Sequence, residues 1–121
     1  MKTIGIIGSR RRNTIGDYLL VEAAFNKIYE PGDRIVSGGC KKGGDKFAEI
    51  IAKKKNITPI IHPAEWKKNG YFNRAAGFER NTFIAMDSDV LIACVSDDRT
   101  GGTEDTIKKF QKLGKAELIL I

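Results

Sequence analysis

Thr3-Ile4-Gly5-Ile6-Ile7-Gly8-Ser9-Arg10 opens the chain with a β-branched run that stops at a glycine. Such residues favour a pleated strand, so the stretch reads as a strand running into a tight turn. Ile15 to Tyr29 follows with Leu20, Ala23, Ala24 and Ile28 at helical spacing. The unit then returns. Pro31-Gly32-Asp33 is a turn, and Arg34-Ile35-Val36-Ser37 is a second strand ended by Gly38-Gly39. Phe47, Ala48, Ile51 and Ala52 repeat with helical period, and Lys53-Lys54-Lys55 suit the negative end of that helix. Thr58 to His62 is a third strand, Asn73 to Met86 a helix, and Asp89 to Val95 a fourth, strongly apolar strand. Thr103 to Leu113 is a helix ended by Gly114, and Glu117 to Ile121 is a fifth strand.

Strands alternating with helices need crossover connections, and these build a parallel sheet covered on both faces. The expectation is therefore an α/β, Rossmann-like three-layer sandwich with a parallel five-stranded sheet. Its strand order is 3-2-1-4-5, provided the chain reverses direction after the third strand. Residues 1–121 are expected to form one such domain, since the length suits one and no repeat, linker or low-complexity tract interrupts it.

A chain with 41% hydrophobic and 30% charged residues is neither disordered, collagenous nor a coiled coil. No apolar run approaches the ~20 residues that span a bilayer. The apolar stretch from Met1 to Gly8 is too short for a signal peptide. Cys40 and Cys94 form no CxxC pair and the sole histidine is His62, so no metal site is expected. A reduced, cytoplasmic protein with no membrane partner is the expectation. The formal net charge of +6 suits an anionic partner without choosing among anions.

Ligands of such sheets bind outside the carboxyl ends of the strands, at the switch point. Three glycine-bearing turns fall at that edge: Gly8-Ser9-Arg10, Gly38-Gly39-Cys40-Lys41-Lys42-Gly43-Gly44, and Thr100-Gly101-Gly102-Thr103. The last two open helices. Glycine lets the backbone approach a ligand closely, and a helix N-terminus offers free N–H groups and partial positive charge. A phosphate is the natural guest. Ser9 and Thr103 add hydroxyl donors, and Arg10 adds a charge-assisted pair. Turn chemistry alone accounts for any one of these glycine clusters; the phosphate reading rests on three at one edge. Neither a Walker A spacing nor GxGxxG is present.

Other residues carry two readings each. Asp45 either complements a helix N-terminus or accepts from a ribose hydroxyl. Arg74, Glu79, Arg80 and Asn81 lie on one helix, where an Arg–Glu pair is an ordinary surface feature. Trp66 either caps the core or stacks on a base. His62 reads as structural, and Lys108, Lys109, Lys112 and Lys115 as a solvated helix face.

In order along the chain, Ser37-Gly38-Gly39 with Gly44-Asp45 and Ala48, Pro63-Ala64-Glu65-Trp66, Ala76-Gly77 with Arg80-Asn81, Asp89-Val90-Leu91-Ile92-Ala93 and Gly101-Gly102-Thr103 together resemble the YspA-type SLOG family. That superfamily also holds the LOG phosphoribohydrolases and DprA. The resemblance implies a Rossmann-like fold and a nucleotide-type ligand such as ADP-ribose or NAD, with no cofactor required. It implies a site built from Gly8, Ser9, Arg10, Gly38, Gly39, Asp45, Arg80, Asn81, Gly101, Gly102 and Thr103, and it favours a homodimer. Trp66 joins this set as a stacking residue.

The resemblance departs at one position. LOG enzymes carry a GGxGTxxE turn whose glutamate works with the helix arginine; Arg80 matches that arginine, but the glutamate position falls on Thr106. Cleaving an N-glycosidic bond builds positive charge on the sugar, which calls for a carboxylate beside it. If the chain is an enzyme, it is an N-glycosidase of nucleoside 5'-monophosphates, with Arg80 holding phosphate and Glu104 or Asp105 as catalytic carboxylates. Binding without turnover is the leading expectation. DprA-like DNA binding is a third reading, encouraged by Arg10-Arg11-Arg12, although no recognition helix or stacking ladder is visible and nucleic acid is not the expected partner.

Overall fold

The computed structural model describes residues 1–121. In chain order the elements are β1 (Thr3–Gly8), α1 (Ile15–Ile28), β2 (Arg34–Ser37), α2 (Gly44–Lys54), β3 (Ile60–Ile61), β4 (Lys67–Lys68), β5 (Tyr71–Phe72), α3 (Ala76–Asp87), β6 (Val90–Cys94), α4 (Gly102–Lys112) and β7 (Leu118–Leu120). The main sheet runs β3-β2-β1-β6-β7, and every pairing within it is parallel. With the two hairpin strands β4 and β5 set aside, this is the expected 3-2-1-4-5 order.

The pleat sorts the core into two layers. Side chains alternate across a strand, so Ile4 and Ile6 of β1, Ile35 of β2, and Ile92 and Cys94 of β6 face one way. They meet Val21 and Phe25 of α1 and Phe47, Ala48, Ile51 and Ala52 of α2. Ile7, Val36, Leu91 and Ala93 face the other way, onto Ile84 and Ala85 of α3 and Ile107 and Phe110 of α4. Phe25 and Phe110 are fully buried anchors of the two layers, and truncating such a phenylalanine to alanine costs about 3–5 kcal/mol.

Two expectations are corrected by the packing. The inward stripe of α1 is Tyr18, Val21, Phe25 and Ile28, whereas Leu20 and Ala23 are exposed. The helix is apolar on several faces, so spacing alone did not choose one. Its start is fixed by a capping box, with the Thr14 hydroxyl accepting from the Asp17 amide at 3.1 Å and the Asp17 carboxylate accepting from the Thr14 amide at 3.2 Å. The second correction concerns the lysine series of α4 and beyond. Lys115 Nζ donates to the carbonyls of Ala85, Met86 and Ser88 at 3.0, 2.7 and 2.7 Å, closing the C-terminus of α3. Lys109 Nζ donates to Asp105 and to the Phe78 carbonyl.

The hairpin β4–β5 interrupts the expected connection after β3. Lys67 and Lys68 pair antiparallel with Phe72 and Tyr71. The two turn residues, Asn69 and Gly70, have φ of 54° and 80°, as the common two-residue hairpin turn requires. No helix is long and apolar enough to cross a membrane.

Candidate functional site

The carboxyl ends of β1 and β6 lie side by side, with Gly8 in register with Cys94. The pairing continues one residue further, where the Ser9 amide donates to the Cys94 carbonyl at 2.9 Å. The turn after β1 and the turn after β6 are then clasped. Arg11 makes a two-pronged contact with Asp98 at 2.9 and 2.7 Å and donates to the Thr100 hydroxyl at 3.1 Å. Hydrogen bonds from Arg11 first, then from Thr100 and Ser96, hold the Asp98 carboxyl well below the usual carboxylate range. Arg12 is also taken, by Asp17 and by the carbonyls of Val95 and Ile121 at 2.7 and 2.9 Å. Of the three consecutive arginines only Arg10 stays free of protein partners, which weakens the triplet as a basic patch.

The second turn reaches this edge because two backbones touch. A Cβ on Gly44 would lie 2.1 to 2.3 Å from backbone atoms of Ile7 and Gly8, distances no side chain tolerates. The N-terminus of α2 therefore sits directly on the end of β1. The Gly43 amide is capped by Asn13 Oδ1 at 2.9 Å, so the first turn of α2 faces strand and loop rather than open space.

Between the turns lies a cavity of about 270 Å³. Gly8, Ser9, Arg10 and Arg11 form one wall, Thr100, Gly101, Gly102 and Thr103 a second, and Arg80, Asn81, Asp45 and Cys40 the floor and side. Only Ile7, Ile84 and Cys40 among its lining residues are hydrophobic. Gly101, the residue before α4, has φ of 100° and no side chain to cap the helix. The first turn of α4 thus presents its unsatisfied N–H groups at the cavity.

Arg80 reaches the cavity from α3 under tight control. Its Nε donates to Asn81 Oδ1 at 2.9 Å and one Nη donates to the Gly38 carbonyl at 3.1 Å, leaving the other Nη without a protein acceptor. Asn81 is buried, and its amide donates to the Gly102 carbonyl at 3.2 Å and to Asp105 at 3.0 Å. Asn81 therefore joins α3 to the start of α4 and aims Arg80. Asp45 is buried as well, accepting from Ser37 Oγ at 2.9 Å and from the Cys40 amide at 3.1 Å. Burial pushes its carboxyl up, against the hydrogen bonds from Cys40 and Ser37 and the Arg80 charge. Its two oxygens pin the loop after β2 to α2.

The two candidate catalytic carboxylates are not in the cavity. Glu104 turns to Arg99, with contacts of 2.7 and 2.9 Å. Asp105 is held by Asn81 and by Lys109 at 3.0 and 2.8 Å. Helix geometry explains this: of the side chains in the first turns of α4, only those of Thr103 and Thr106 line the cavity, and successive residues are rotated by ~100°. The cavity's single carboxylate is Asp45.

A second cavity of about 330 Å³ adjoins the first, and Arg10, Cys40 and Arg80 line both. Gly38, Gly39, Lys41, Pro63, Ala64 and Trp66 complete it. His62 lies apart, with its Nε2 2.5 Å from Asp87 and its ring stacked on Phe83. The cavity also takes in Arg11, Cys40 and Thr100, to which the sequence assigns no individual role in a nucleotide site. Cys40 and Thr100 were legible as members of glycine-rich turns, whereas the partner of Arg11 is 87 residues away.

No protein-family model matches the chain, and neither does any curated protein. Two solved structures share its architecture. DNA processing protein A from Helicobacter pylori, solved for its single-stranded DNA binding mode, aligns with a TM-score of 0.75 and 21% identity over 98% of this chain. This chain spans 64% of the length of that chain. The molybdenum cofactor binding protein from the phototrophic bacterium Rippkaea orientalis aligns with a TM-score of 0.70 and 25% identity, covering 98% of this chain and 75% of that one. What both share with this chain is the fold, a Rossmann-like parallel α/β sheet with helices on its faces.

Proposed function

We propose that this chain binds a nucleotide or nucleotide-sugar of the ADP-ribose or NAD kind, with a phosphate seated between the β1 turn and the start of α4. One observation carries the proposal. An uncapped helix N-terminus, a free Arg10 and a pre-aimed Arg80 meet at a polar cavity on the switch point of a parallel sheet. Phosphate suits each of these: amides and helix dipole favour an anion, and guanidinium forks match its oxygens. The ordered motifs of the chain support membership in the YspA-type branch of SLOG proteins. A homodimer fits the exposed Phe78, Phe83 and Met86 on α3, and light scattering reads it out.

A thermal-shift series with nucleoside monophosphates, NAD and ADP-ribose tests the proposal. A ligand at 100 times its Kd adds about 2.7 kcal/mol of stability, which is a rise of several degrees in Tm. If no member of the series moves the transition, the proposal is wrong. The N-glycosidase alternative draws support from Arg80 alone, and release of free base from a monophosphate is its readout. Single-stranded DNA binding is a second reading, favoured by the exposed Tyr71 and Phe72 beside Lys67 and Lys68. Aromatic faces and cations together hold single strands, and binding that weakens steeply with salt is its signature.

A further inference from the structure

We infer that the second cavity is a nucleobase subsite, so that the ligand lies with its phosphate against α4 and its ring against Trp66. The inference rests on the phosphate reading above and adds the ligand's polarity and class: an anion joined to a flat aromatic ring.

The two cavities differ in chemistry as the two ends of a nucleotide do. The first is walled by hydroxyls, amides and guanidinium groups. The second is walled by Gly38, Gly39, Pro63, Ala64 and Trp66, with cations at its margins. Arg80 stands where they meet, within reach of a phosphate on one side and a sugar or ring on the other. The first cavity falls just short of the roughly 300–1,000 Å³ range of small-molecule sites and the second lies at its lower end; joined they sit well inside it.

Trp66 is held as a platform rather than as core. It is 45% exposed. Phe72 stacks on the indole, with centroids 6.0 Å apart and planes 9° from parallel. Trp66 lines the cavity and Phe72 does not, so Phe72 backs the indole from outside. On its other flank the ring edge rests on α3 at Gly77, where an added Cβ would lie 3.5 Å from the indole and 3.9 Å from an Arg80 Nη. The indole and the guanidinium that would hold the phosphate are thereby fixed to neighbouring turns of one helix. The Asn69-Gly70 hairpin supplies the backing ring, which gives that otherwise isolated two-stranded element a role.

Trp66 is the chain's single tryptophan, so its emission reports directly on stacking. The experiment titrates the intact chain with adenosine 5'-monophosphate and with ribose 5-phosphate, following Trp66 emission and calorimetric heat together. The expected result is that the monophosphate perturbs the emission and binds on the order of tenfold more tightly than ribose 5-phosphate, the worth of a base–aromatic stack. Trp66→Ala brings the ratio of the two affinities close to one, and Trp66→Phe restores most of it. If both ligands bind equally and the emission stays constant, the base subsite is overturned while the phosphate reading stands. If neither ligand gives heat, the phosphate reading fails and this inference with it.

Discussion

Gly44→Ala sets two effects of opposite sign against each other. Gly44 is the first residue of α2, and alanine in place of a helical glycine gains at most ~1 kcal/mol of propensity. Against this stands the seat of α2 on β1. The new Cβ would come within 2.1 Å of the Ile7 carbonyl carbon, 2.2 Å of the Gly8 nitrogen and 2.3 Å of the Ile7 oxygen. Comfortable contact begins near ~3.5 Å, so α2 must lift by more than 1 Å, on the order of a bond length. The atoms met are backbone of a central strand and have nowhere to swing. Lifting α2 loosens Phe47 and Ala48 and stretches the Asn13–Gly43 bond. Overpacking of this kind costs about 1–3 kcal/mol, and with three backbone atoms involved the upper end applies, leaving a net loss of about 2–3 kcal/mol. With ~2.1 cal/mol/K of unfolding entropy per residue, that is a Tm drop of roughly 8–12 °C. Gly102→Ala is the internal control: it too opens a helix, but its Cβ meets nothing closer than Asn81 Nδ2 at 3.8 Å, so its Tm should hold or rise slightly. Calorimetric melting of the two variants beside the parent checks this. A Gly44→Ala protein as stable as the parent refutes the backbone-to-backbone seat, and with it the explanation of why the second turn reaches the cavity.

Further outcomes follow from the same contacts. Arg80→Ala should weaken binding of a nucleoside monophosphate by about 10- to 100-fold, the worth of a charged hydrogen bond, with Arg80→Lys recovering part; calorimetry measures both. Arg12→Ala removes the donor to the carbonyls of Val95 and Ile121, so hydrogen exchange should rise at Ile119 and Ile121 while the amides of β1 stay protected. Burial alone would raise the Asp33 carboxyl, but the Lys2 ammonium and the Lys2 and Glu30 amides outweigh it and hold the group at about 2. A depressed folded-state value stabilises above the unfolded one, so this contribution is complete above pH ~4 and is lost as pH falls from there towards ~2. Asp33→Asn should flatten that part of the acid-unfolding profile, measured by denaturant melts at each pH.

Much of the architecture was legible because local pattern and tertiary packing agree. Phe47, Ala48, Ile51 and Ala52 had one helical face to offer, and it is the buried one. In α1 several faces are apolar, so only packing against Ile4 and Ile6 selects Val21 and Phe25. The hairpin went unread: Asn69-Gly70 between Lys67-Lys68 and Tyr71-Phe72 carries a turn signal, but a pair of two-residue strands gives no periodicity. At the site, glycine-rich turns marked the edge of the sheet correctly. What no local pattern contains is the partner of each polar group. Arg11 finds Asp98, Arg12 finds Ile121, and Asn81 finds Gly102, so a triplet that reads as one basic patch divides into two structural ties and one free cation.

On the reading proposed above, backbone amides in the turn after β1 and at the start of α4 hold a single phosphate. Amide-resolved NMR during titration with adenosine 5'-monophosphate reads these groups one by one. The amides of Arg10, Gly101, Gly102 and Thr103, none of which has a protein acceptor, should move together along one saturating curve. Amides that stay fixed at those four residues while others respond would contradict it.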